Sequence, residues 1–151
     1  MVAVTEGKSG PQLDPETVAV GDKGPSIVVE DLDREDFVRY AGASGDFNPV
    51  HYDEPFAKKA GYESVFAPGM LIAGIASRFV TDWIGIGTLE AFSTRFAAQV
   101  WPGDTLTVDG EVIAVDHGEM ATAVDIEFTA HADSEVVLTG TATAAYPECN
   151  D

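Results

Sequence analysis

Within the stretch Tyr40-Ala-Gly-Ala-Ser-Gly-Asp-Phe-Asn-Pro-Val-His-Tyr-Asp53, a carboxylic acid, Asp46, and an imidazole, His51, stand five positions apart. Gly45 and Pro49 punctuate the segment between them, so it reads as a loop rather than as a regular element. A loop of this kind can aim two side chains at one point while keeping both near the surface. A carboxylate and an imidazole that converge suit general acid–base chemistry on a shared water: one group takes a proton while the other holds or exchanges another. The same residue types also occur as turn caps and surface histidines, because Asp, Asn and Gly favour turns for local reasons. The pair by itself leaves both roles open.

Elements able to position the loop flank it. Upstream, Asp33 reads as an N-cap with Asp36 three residues on, and Phe37, Tyr40 and Ala41 form an apolar stripe at i, i+3, i+4. That spacing predicts a short helix running out at Gly42 and Gly45. Downstream, Asp53 caps a second predicted helix over 54–60, with Pro55 in its first turn and Gly61 just past its end. A third helix is expected from Pro68 to Trp83, about 24 Å long at 1.5 Å per residue. Its first half is apolar on every side, the pattern of a helix enclosed by protein. Gly74 and Ala76 would let a neighbouring backbone approach.

After Glu90 the period changes to two. Leu106, Val108, Val112 and Ala114 alternate with polar residues, as do Met120, Thr122, Val124, Ile126, Phe128 and Ala130, and then Val136, Leu138, Ala142, Ala144 and Tyr146. Turn signals lie at Pro102-Gly103-Asp104, His117-Gly118 and Asp133-Ser134. Half-buried strands joined by short turns imply an antiparallel sheet with one wet face. Helices precede strands, so the fold class is α+β. Residues 1–16 read as a loose polar arm and 17–151 as a single domain.

Of 151 residues, 26 are Asp or Glu and 8 are Lys or Arg, for a formal charge of -18 at pH 7. That sign opposes nucleic-acid binding, which needs clustered cations, and opposes docking on anionic lipid. A 45% hydrophobic content excludes a disordered acidic tail. Cys149 has no partner and the three histidines lack metal-ligand spacing, so neither a zinc site nor a disulfide framework is expected. His117 and His131 lie in or beside turns and are expected at the surface. There is no Gly-rich phosphate loop and no G-x-S-x-G elbow. Without a visible secretory signal or an apolar run near 20 residues, a soluble cytoplasmic protein is expected. The acidity is spread along the chain, as in proteins of a cytoplasm holding molar salt, where the Debye length falls to about 3 Å. The bland alternative is an ordinary acidic protein.

Taken whole, the string from Tyr40 to Asp53 resembles the signature of the MaoC-like dehydratases, or (R)-specific enoyl-CoA hydratases: Ser-Gly-Asp-x-Asn-Pro, an aliphatic residue, then His-x-Asp. The similarity continues through Ala60-Gly61-Tyr62, Ala67-Pro68-Gly69-Met70, Arg95-Phe96 and Pro102-Gly103-Asp104, spanning 18–146. Pro68 departs from the His that many members carry. The resemblance implies a hot-dog fold, a long helix wrapped by a curved antiparallel sheet. It implies reversible addition of water to a trans-2-enoyl thioester, with Asp46 and His51 holding the water and Asp46 as principal base. Gly69 would offer its backbone amide to the thioester carbonyl, with Asn48 ordering the loop and Ser77 supporting the carboxylate. The Ser77 match is equally that of a small helix-packing residue. Lys58, Lys59 and Arg95 are candidates for the phosphates of coenzyme A, which is here part of the substrate; no separate cofactor or metal is expected. A homodimer is implied. Thioester hydrolysis and a non-catalytic acyl-binding subunit are the rival readings.

Overall fold

Three long strands, β4 (Asp104–His117), β5 (Ala121–Ala132) and β6 (Glu135–Pro147), carry most of the apolar alternation and form the middle of the sheet. In β5 the alternate residues Thr122, Val124, Ile126, Phe128, Ala130 and Ala132 are all buried, so one face of the strand is continuous core. The structure, a computed structural model, describes residues 4–5 and 11–147. Among these, β1 (Val4–Thr5), β2 (Ile27–Leu32) and β3 (Leu89–Phe96) complete an antiparallel sheet in the order β1-β2-β4-β5-β6-β3. Cys149 lies outside the described residues, as does half of the arm expected over 1–16. Where that stretch becomes described, Leu13 is buried and its amide donates to the Trp83 carbonyl at 2.8 Å.

Two departures from strict alternation have one cause. A register shift in β4 between Val112 and Ala114 puts Ala114 on the wet side and turns Val115 inward, contrary to the expectation for Ala114. The second shift, between Ala130 and His131 of β5, leaves Val137 buried and Val136 exposed. Each extra residue rotates the side chains after it to the other face. Met120, expected in line with the core, stands in the β4–β5 turn and is exposed.

Helix α3 (Gly69–Ile84) lies across the inner face and buries Ile72, Ala73, Ala76, Phe79, Val80, Trp83 and Ile84. The sheet curls closely round it. A Cβ on Gly110 of β4 would stand 2.8 Å from the Phe79 ring and 2.8 Å from the Glu127 carbonyl, so only glycine admits the helix there. The expectation of a helix enclosed on every side does not hold: Met70 is 60% exposed, and a Cβ on Gly74 would meet nothing within 4 Å. The sheet covers one side of α3 and leaves the other open.

The remaining elements lie between β2 and α3 in the chain. Helix α1 (Arg34–Ser44) starts at the Asp33–Asp36 capping box and runs through Gly42 to end at Gly45, whose φ of 77° stops it. A 3-10 turn (Pro49–His51) and helix α2 (Glu54–Lys59), capped by Asp53, follow.

Candidate active site

Gly45 ends α1 in the left-handed region, and the chain leaves the helix directly into Asp46. The loop is then wired by its own side chains. Ser44 Oγ donates to the Tyr40 carbonyl at 2.7 Å and accepts from the Asp46 amide at 3.1 Å. Asp46 Oδ1 accepts from the Asn48 amide at 3.3 Å, and Asn48 Oδ1 caps the 3-10 turn through the Val50 amide at 3.3 Å. Asn48 thus orders the turn that carries His51. The Tyr52 hydroxyl closes the loop on the Phe47 carbonyl at 2.9 Å.

These bonds bring the two expected groups together. Asp46 Oδ2 and His51 Nε2 stand 3.9 Å apart, with the carboxylate 44% exposed and the imidazole only 9%. His51 Nδ1 lies 2.8 Å from the Phe66 carbonyl. A carbonyl oxygen only accepts, so Nδ1 carries a proton there and Nε2 is the ring nitrogen turned toward Asp46. The Phe66 ring meets the imidazole edge-on, with centroids 5.1 Å apart. A separation of 3.9 Å exceeds a direct hydrogen bond and lets both atoms reach one bridging oxygen.

Phe66 also leads to the third expected group. It lines a pocket of about 290 Å³ together with Gly69, Ile72, Phe96, Val100 and Val137. Gly69 is the first residue of α3, which begins at Pro68 with no side-chain cap. Its amide therefore stands among the unpaired N–H groups at the positive end of a sixteen-residue helix. The Phe96 ring packs on Gly69, where a Cβ would be 3.2 Å away. Asp46 and His51 are not part of the pocket wall; Phe66, which is, meets the His51 ring.

Other expected residues are placed differently. The Ser77 hydroxyl donates to the Gly74 carbonyl of its own helix at 2.7 Å, and the structure does not join it to Asp46. Lys58 is engaged by Glu54 at 3.2 Å, whereas Lys59 is exposed. Arg95 is exposed on β3, and strand alternation puts it on the face opposite Phe96, away from Gly69. His131 lies within β5 rather than in a turn and is half-buried; His117 ends β4 and is exposed. Among the described residues, no group of three or more potential ligands could hold a metal ion.

Sequence reasoning missed Phe66, which fixes the imidazole, and Glu54. Glu54 Oε2 meets Arg34 Nη2 at 2.6 Å and accepts from Ser64 Oγ at 3.2 Å. The hydrogen bond from Arg34, with that from Lys58, holds the Glu54 carboxyl down at about 2, against an ordinary 4.5.

A single long helix against a curved antiparallel sheet, with an acid–imidazole pair and a helix start at its end, defines a hot-dog protein of the dehydratase type. Residues 14–133 match the family model described as the MaoC like domain, and the chain belongs to that family. It is 31% identical over 117 residues to the mitochondrial 3-hydroxyacyl-[acyl-carrier-protein] dehydratase of Arabidopsis thaliana, covering 75% of this chain and 69% of the relative. The (R)-hydratase of A. caviae superposes with a TM-score of 0.71 at 25% identity, over 85% of this chain and 97% of that one. The ChsH1-ChsH2 complex of Mycobacterium tuberculosis gives 0.76 at 26%, over 86% and 99%. The chain spans only 13%, 4% and 36% of three other curated relatives, all at least 33% identical. None of these relatives supports the expectation of a high-salt source. No helix among the described residues is long and apolar enough to cross a membrane.

Proposed function

We propose that the chain is a hydro-lyase that adds water reversibly to a trans-2-enoyl thioester of coenzyme A, giving the (R)-3-hydroxyacyl thioester. The observation that carries this reading is the Asp46–His51 pair, 3.9 Å apart, with the imidazole tautomer set by Phe66. A water between them donates one hydrogen to Nε2 and the other to the Asp46 carboxylate. Asp46 takes its proton as the water oxygen bonds to C3, and passes that proton to C2, so the elements of water are added and nothing else is consumed. The Gly69 amide, at the positive end of α3, receives the thioester oxygen as negative charge develops on it. The pocket beside Gly69 offers an apolar wall to the organic part of the substrate.

A homodimer completes this reading. Strand β3 is an edge of the sheet, and Met70 and Phe96, exposed beside Gly69, leave an apolar surface at that edge. A second reading comes from the relatives: one that is 35% identical is the beta subunit of a 3-oxo-4,17-pregnadiene-20-carboxyl-CoA hydratase. A heteromeric role would need a second, different chain for activity.

The purified chain should remove the enoyl absorbance of crotonyl-coenzyme A without releasing thiol. Stoichiometric thiol release would replace hydration with thioester hydrolysis, and inactivity restored by a partner subunit would favour the heteromer.

A further inference from the structure

We infer that Glu54 is a positioning residue for the Asp46–His51 pair, acting through Arg34 and Ser64; the inference rests on the function proposed above. Glu54 begins α2 three residues after His51, and Ser64 precedes Phe66 by two. The two stretches are therefore tied twice. His51 Nδ1 donates to the Phe66 carbonyl at 2.8 Å, and Ser64 Oγ donates to Glu54 Oε2 at 3.2 Å. A backbone bond from the Phe66 amide to the Val50 carbonyl, at 3.4 Å, joins the same two stretches next to the His51 tie.

Arg34 joins both ends of the outer tie. Its Nη2 reaches Glu54 Oε2 at 2.6 Å and Ser64 Oγ at 3.1 Å. Arg34 is also the first residue of α1, the helix that delivers Asp46 at its far end. The cluster thus links three segments: the helix leading to the acid, the turn bearing the imidazole, and the loop whose carbonyl orients that imidazole. Neither Glu54 nor Arg34 touches Asp46 or His51. Their effect is to fix the 3.9 Å separation and the ring orientation. Lys58, at 3.2 Å from Oε1, adds a second cation, so the carboxylate stays ionised at every pH where the protein would work.

A displacement of about 1 Å at a reacting pair can lower a rate by 10²-fold. Glu54→Gln keeps the size of the side chain and removes the charge that holds Arg34. The expected result is a fall in kcat of about tenfold or more with KM nearly unchanged. The His51 Nδ1–H signal in the proton NMR spectrum should broaden or vanish, because the Phe66 carbonyl is no longer held in place. Ser64→Ala, which deletes one tie and leaves the ion pair, should move both readouts in the same direction by less, and serves if Glu54→Gln does not fold. Glu54→Asp should recover part of both. An unchanged kcat and an unchanged Nδ1–H signal in a variant of lowered Tm would overturn the inference and leave the cluster a stabilising contact. The NMR readout needs no substrate, so wild-type protein that lacks hydratase activity would refute the proposed function alone.

Discussion

His51 is held by one nitrogen and, in the proposed mechanism, works through the other. Its Nδ1 is committed to the Phe66 carbonyl, so Nε2 is the atom that meets the Asp46 carboxylate. The two functions of the ring can be separated by substitution. His51→Asn carries an amide nitrogen able to reach the Phe66 carbonyl but has nothing at the position of Nε2. It should keep a Tm close to wild type and lose most of the hydratase activity. Asp46→Asn removes the proposed base while leaving an oxygen to accept from the Asn48 amide. Loss of a general base lowers kcat by about 10²- to 10⁴-fold. If Asp46→Asn hydrates crotonyl-coenzyme A at the wild-type rate, Asp46 is not the base and the shared-water mechanism fails with it.

Between elements, the contact that joins α1, α2 and the Ser64–Phe66 loop has its own pH signature. Glu54 lies near 4.5 in an unfolded chain and at about 2 in the fold, lowered first by the hydrogen bond from Arg34. A depressed carboxyl stabilises the fold above its unfolded value, and that stability is lost as pH falls from about 4.5 toward 2. The difference in Tm between wild type and Glu54→Gln should therefore be flat from neutral pH down to about 5 and shrink below it. A difference that shrank between pH 6 and 8 instead would show that another group governs the cluster. This contact also marks the limit of what the sequence makes legible. Caps and periods are local, so α1, α2, α3 and the long strands could be read from Asp33, Asp53, the run after Pro68 and the alternation after Glu90. Strand β2 could not, because Glu30 and Asp31 interrupt its apolar residues and Asp31 adopts a φ of 51°. The register shift in β4 inverts Ala114 and Val115 without a sequence signal. Asp46 and His51 were legible as a motif, whereas Phe66, Ser64 and Arg34 act across 15, 10 and 30 residues and leave no periodic trace.

On the scale of the whole molecule, charge is the dominant unbalanced feature. The net -18 already counts all eight cations, and four of them, Arg34, Arg39, Lys58 and Arg78, are paired with Glu54, Glu35 and Asp82. Salt acts on both sides of this balance. It weakens those surface ion pairs, worth about 0–1 kcal/mol each, and it screens repulsion among the many carboxylates left over. With 26 acidic residues against 8 basic ones, the repulsive side is larger and screening should win. The Tm should rise as sodium chloride goes from about 0.05 to 1 M, where the Debye length shortens from above 10 Å to about 3 Å. A gain of about 1 kcal/mol would appear as roughly 2–4 °C for a chain of this size. The same argument applies to the proposed substrate. A coenzyme A thioester brings phosphates to an anionic protein, and Arg95 faces away from Gly69 while Lys58 is held by Glu54. If no local cation cluster compensates, KM for crotonyl-coenzyme A should fall or hold as salt rises. A KM that climbs steeply over this range would instead place Lys59, or cations of a second subunit, on the phosphates, because direct ion pairs are what salt weakens.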